Sequence, residues 1–89
     1  MSDARARILV IDDDDAIRSM LQDWLSDDYE VLTASDGHKG IEVLETETVD
    51  LVISDINMPG INGFETLRRI RARHPKMKTA LITDYDVDS

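Results

Sequence analysis

At 89 residues and 10.1 kDa the sequence has room for one domain with a small core, because folding at this length removes only about 60 to 65% of the unfolded surface, and a multidomain enzyme is excluded. A 42% hydrophobic and 33% charged composition is globular rather than disordered, and with no cysteine there is neither a disulfide framework nor a thiolate metal site. A formal charge of −9 sets a repulsive field against any nucleic-acid backbone, so direct nucleic-acid binding is disfavoured.

The first apolar run, RILVI at 7–11, has strand length and no alternation, as a parallel strand buried on both faces requires. Four aspartates follow, Asp12 to Asp15, and then a helix over 15–26, where Ile17, Met20, Leu21, Trp24 and Leu25 recur at helical spacing and Asp14 or Asp15 is placed to cap the first turn. A weaker strand over 29–34 lies between Asp27-Asp28 and Ser35-Asp36-Gly37. A short helix over 37–47 shows Ile41 and Leu44 on one face, with Gly40 expected to weaken it. The third strand, DLVIS at 50–54, precedes Asp55 and a turn at Pro59-Gly60. A third helix over 63–73 carries Phe64, Leu67 and Ile70 and is stopped at His74-Pro75. The last strand, over 79–83, ends in Thr83.

Strands alternating with helices predict an α/β fold, a doubly wound parallel sheet with right-handed crossovers and helices on both faces. Ligands in such sheets bind beyond the carboxyl ends of the strands, where strand order reverses. If the first strand lies between the second and third, Asp12, Asp13, Asp55 and Thr83 converge there. Neighbouring carboxylates repel and would raise one another's pKa, which a hard divalent cation relieves. Oxygen-only ligands suit Mg²⁺ or Mn²⁺ rather than zinc. A carboxylate beside such an ion can attack phosphorus and form an acyl phosphate, and Asp55 is the candidate nucleophile, with the Pro-Gly turn bringing the backbone carbonyl of Asn57 towards the metal.

ILVIDDDDAIR, ASDG, DLVISDINMPGINGFETLRRIR and ALIT together resemble the receiver domain of bacterial two-component response regulators, a flavodoxin-like fold, over nearly all of residues 7–85. The resemblance implies that Asp55 is the phosphoacceptor, Asp13 a direct metal ligand, Asp12 an acid acting mainly through water, Asn57 a carbonyl donor and Thr83 the hydroxyl that bonds the phosphoryl group and moves on activation. It implies a sensor histidine kinase or phosphotransfer protein as donor, an output domain or target protein as reader, and no turnover enzyme. The family's fifth strand, with its phosphoryl-binding lysine, and its fifth helix have no counterpart in residues 1–89, so the chain is expected to be a C-terminally incomplete receiver. Lys76 and Lys78 precede the fourth strand and lie at the wrong end to replace that lysine. Asp84 stands where the family usually has a small residue and adds a charge beside an incoming phosphate.

Residues 1–67 hold 16 acids and 4 bases, whereas Arg68 to Lys78 hold six bases and no acid, a segment expected to be a solvated helix face and loop. His38 and His74 are expected at the surface. Asp84 to Asp88 begins like a calcium loop but lacks the sixth-position glycine and twelfth-position acid. With no leader-like or membrane-spanning stretch, the longest aliphatic run being Ile8 to Ile11, a cytoplasmic location is expected. A second function class is a phosphorylation-impaired receiver fragment acting as an assembly module. The fourth strand, apolar on both faces, would then pair edge to edge with another copy as a homodimer.

Overall fold

The computed structural model describes residues 5–83. The elements alternate as β1 (Arg7–Ile11), α1 (Asp15–Leu25), β2 (Glu30–Ala34), α2 (Gly37–Thr46), β3 (Leu51–Asp55), α3 (Gly63–Arg73) and β4 (Lys78–Ile82). All strands pair in parallel in the order β2-β1-β3-β4, so β1 sits between β2 and β3 as the convergence of the acids requires. The third and fourth strands shift by one residue from expectation: β3 runs on to Asp55, which pairs with Ile82, and β4 begins at Lys78, which pairs with Leu51. Asp55 therefore belongs to the ladder itself, and its backbone is held as firmly as that of the apolar residues before it.

Each helix starts on a side-chain cap. The Asp14 carboxylate accepts from the Ala16 and Ile17 N–H groups, Asp36 from Lys39 and Asn62 from Glu65, satisfying amides that a helix's first turn leaves without partners. α2 and α3 pack on each other and on the central strands. Between them lies the core, built from Leu9, Ile11, Ala34, Leu44, Val49, Val52, Met58, Leu67 and Ile70. Gly40, expected to weaken α2, has a different role there. A Cβ at Gly40 would stand 2.3 Å from Ile11 Cδ1, so the missing side chain lets α2 close on β1.

α1 packs on β1 and β2 on the other face, over Ile8 and Val10, which point there by strand alternation. None of its residues is buried. Ile17, Leu21 and Leu25 are half-buried, while Met20 and Trp24 remain 54% and 73% exposed. No helix among the described residues is long and apolar enough to cross a membrane.

Candidate functional site

β1 and β3 deliver two acids to the same end of the sheet. Asp12 continues β1 by one residue, its N–H donating to the Ala34 carbonyl at 3.1 Å, and Asp55 ends β3. Alternation turns both side chains to the α1 face, because Leu9 and Ile11, Val52 and Ser54 take the opposite one. Asp13 follows where the chain leaves the sheet to enter α1. One carboxylate oxygen from each of Asp12, Asp13 and Asp55 lies within 4.8 Å of the others. The cleft around them, about 630 Å³, is lined by Asp12, Asp13, Asp14, Asp55, Asn57 and Thr83 at its polar end and by Ile17, Met20, Leu21 and Ile82 beside them.

Asp12 and Asp55 are 2% and 9% exposed, whereas Asp13 is open to solvent. Burial raises the Asp12 carboxyl above the ordinary aspartate value. The Asp14 N–H, which donates to its Oδ1 at 2.9 Å, opposes the shift, and the charges of Asp55, Asp13 and Asp14 add to it in smaller measure. The repulsion expected between neighbouring carboxylates is thus present at Asp12, behind desolvation as the larger cause. No lysine or arginine lines the cleft among the described residues. Four acids around a cleft with only oxygen donors, two of them nearly out of water, form a donor set that fits a hard divalent cation.

The structure brings together all the residues expected at the site. Asn57 is exposed on the loop after β3, its N–H donating to Asp55 Oδ1 at 3.4 Å, and Thr83 is exposed just beyond β4. Asp84 and the calcium-like segment lie outside the described residues. Lys78 is at the opposite end of β4 from Thr83, as expected. His38 is exposed and His74 only half-buried. Of the six bases in the Arg68–Lys78 segment, Arg68 and Arg69 pair with Glu65 and Arg73 with Glu45, which supports a solvated, locally compensated face.

Sequence reasoning does not reach the support beneath Asp55. The buried Ser54 hydroxyl donates to the Asp55 carbonyl at 3.0 Å. Gly63, the first residue of α3, donates its N–H to the Ile56 carbonyl, and a Cβ on it would stand 2.2 Å from the Asp55 carbonyl oxygen. The only signal in the sequence is a glycine directly after a capping asparagine, which is also common without such contact.

The family profile for the response regulator receiver domain matches residues 8–89. The response regulator protein FleR of Pseudomonas aeruginosa is 38% identical over 81 residues, 90% of this chain and 17% of that protein. The transcriptional regulatory protein AfsQ1 of Streptomyces coelicolor is 42% identical over 82 residues, 91% of this chain and 36% of that protein. The chain thus spans 17% and 36% of the lengths of these two curated relatives. Among solved structures, the response regulator protein TrrA of Thermotoga maritima in complex with Mg²⁺-BeF superposes with a TM-score of 0.86 at 40% identity, covering 91% of this chain and 71% of that one.

Proposed function

The chain belongs to the response regulator receiver domain family, and on that premise we propose that it takes a phosphoryl group onto Asp55 from a sensor histidine kinase or phosphotransfer protein in a Mg²⁺-dependent reaction. The observation that carries this reading is the meeting of Asp12, Asp13 and Asp55 within 4.8 Å in the cleft that also holds Asn57 and Thr83. The family is a signalling family. The modified chain acts as a conformational switch read by an output domain or target protein in the cytoplasm and is not a turnover enzyme.

Asp55 supplies the nucleophile. A carboxylate oxygen forms a bond to phosphorus while the P–N bond of the donor phosphohistidine breaks, its electron pair leaving with the imidazole nitrogen, and Asp55 becomes an acyl phosphate. The Asn57 N–H at 3.4 Å from Asp55 Oδ1 restrains the carboxylate, and the ladder and the Ser54 hydroxyl hold its backbone. Asp13, Asp55, the Asn57 carbonyl and, mainly through water, Asp12 would hold Mg²⁺. Mn²⁺ would fit the same oxygen donors. Held there, Mg²⁺ would supply positive charge to offset that gathered on the phosphoryl oxygens. Capture of Mg²⁺-BeF by the related TrrA chain supports this choice of metal. The Thr83 hydroxyl donates to a phosphoryl oxygen.

Mass spectrometry after incubation with a small phosphodonor and Mg²⁺ tests the reading: one phosphoryl group on Asp55, lost with Asp55→Asn or without metal. A phosphoryl group on another aspartate would overturn it. A second reading, assembly through β4, is favoured by one observation. β4 is an edge strand among the described residues, and both Ala80 and Leu81 are exposed on it. Pairing of that edge with a second copy would cover them, and sedimentation as a 10.1 kDa monomer at micromolar concentration would remove this reading.

A further inference from the structure

The chain leaves the sheet at Asp12. Its N–H still completes the ladder to Ala34, but its carbonyl has no strand to bond, because the next residues turn into α1 under the Asp14 cap. That carbonyl accepts a hydrogen bond of 2.6 Å from Arg18 Nη1. The second guanidinium nitrogen bonds the Asp15 carboxylate. The arginine is therefore fixed at both prongs, and its side chain is only 18% exposed although that of Asp15 is 91% exposed. It does not line the acid cleft. It lines the cleft behind it, with Thr33, Ala34, Ser35 and Lys39.

Asp12 is thus held at three points: its N–H by Ala34, its Oδ1 by the Asp14 N–H and its carbonyl by Arg18. Among the described residues Asp13 makes no hydrogen bond of its own, and both its neighbours are tied down by this set of contacts. We propose that Arg18 is a positioning residue that braces the Asp12–Asp13 loop from behind and so presets the two acids for the cation. The inference rests on the metal reading above.

Charge and geometry predict opposite signs, which makes the brace testable. If Arg18 acted only as a nearby positive charge, its removal would strengthen cation binding. If it acts as a brace, removal weakens binding in spite of the more negative site, by roughly 10-fold as for other residues that orient ligands from behind. Arg18→Lys keeps the charge and loses the fork that reaches two oxygens at once. We expect weaker Mg²⁺ binding by calorimetry in both Arg18→Ala and Arg18→Lys, with Arg18→Lys retaining the wild-type thermal midpoint. Without metal, amide exchange of the Asp12 and Asp14 N–H groups should speed up in both variants while that of Val10 and Val52 stays unchanged. Equal or tighter Mg²⁺ binding in Arg18→Ala, or unchanged exchange at Asp12 and Asp14, overturns the brace. Should Arg18→Ala fail to fold, Arg18→Gln takes its place. Failure of the wild-type chain to bind Mg²⁺ would defeat the metal reading instead, and the exchange comparison would still decide whether the loop is braced.

Discussion

The two faces of the sheet are covered by helices with the same apolar periodicity and end up in different states. On the α2/α3 face, Leu9, Ile11, Val52 and Ile70 are essentially out of water. On the α1 face no helix residue is buried, and Met20 and Trp24 are mostly exposed. Two helices meeting above β1 and β3 close a core, whereas one helix over β1 and β2 leaves its outer row uncovered by any described residue. The site spans this difference. The backbone of Asp55 belongs to a central strand and the N–H of Asp12 completes the ladder at the end of another, while the carboxylates open into the cleft beside Ile17, Met20 and Leu21. The proposed transfer to Asp55 needs both properties, fixed donor atoms and an entrance wide enough for a phosphoryl group.

The largest effect is expected from a cut into the closed face. Ile70 is 1% exposed and packed in the core cluster, so Ile70→Ala should cost about 2 to 5 kcal/mol through lost burial and a cavity. Urea denaturation measures this. A loss below about 1 kcal/mol would mean that the face repacks freely and is not the stable half of the molecule.

Gly63→Ala probes the same face where it carries the site. In an open helix the change would favour folding by up to about 1 kcal/mol. Here the new Cβ would meet the Asp55 carbonyl oxygen at 2.2 Å, and backbone cannot move aside as a side-chain tip can. The expected outcome is a net loss of about 1 to 3 kcal/mol, as for other overpacked sites. Slower phosphoryl transfer to Asp55 should accompany it, measured on the same preparation. Unchanged stability and rate together would show that α3 shifts without disturbing β3.

What the sequence makes legible follows from which signals are local. Apolar runs mark all four strands, and aspartates just past or at their ends mark the site, because both are consequences of residues read in order. Strand limits are less legible. The apolar run of β3 stops at Ser54, but the ladder continues to Asp55 because its partner Ile82 is supplied from a distant segment. The close approaches at Gly40 and Gly63 are invisible for the same reason: each depends on which atom of another element stands opposite. The exposure of Met20 and Trp24 is equally non-local, since helical spacing fixes which residues share a face and says nothing of whether that face is covered.

A smaller effect is expected at the rim of the closed face, on α3. Hydrogen bonds from Arg68 and then Arg69 lower the Glu65 carboxyl from its usual value of 4.5 to about 2. A carboxyl lowered in the folded state contributes stability that is present above its unfolded value and lost as pH falls. The contribution should be complete above pH 4.5 and disappear as pH approaches about 2. Because the group sits at the surface, solvent screening keeps it small. Comparing acid denaturation of the wild-type chain with Glu65→Gln checks it: the two curves should converge towards pH 2 and separate above pH 4.5. Separation only at the acid end would reverse the sign and discard the pairing.

The least effect is expected on the open face, at the largest side chain in the protein. A buried tryptophan cut to alanine costs about 3 to 5 kcal/mol, but Trp24 is 73% exposed, and alanine is the better helix former at a position inside α1. Trp24→Ala should therefore change stability by less than about 0.5 kcal/mol. Trp24 is the sole tryptophan, so the folded wild-type chain should also emit like a solvated indole, with little shift on unfolding. A loss of several kcal/mol, with blue-shifted emission in the wild type, would mean that another surface covers α1 in solution. Dilution would then separate the cases, because cover by a second copy weakens as concentration falls and cover from within the chain does not.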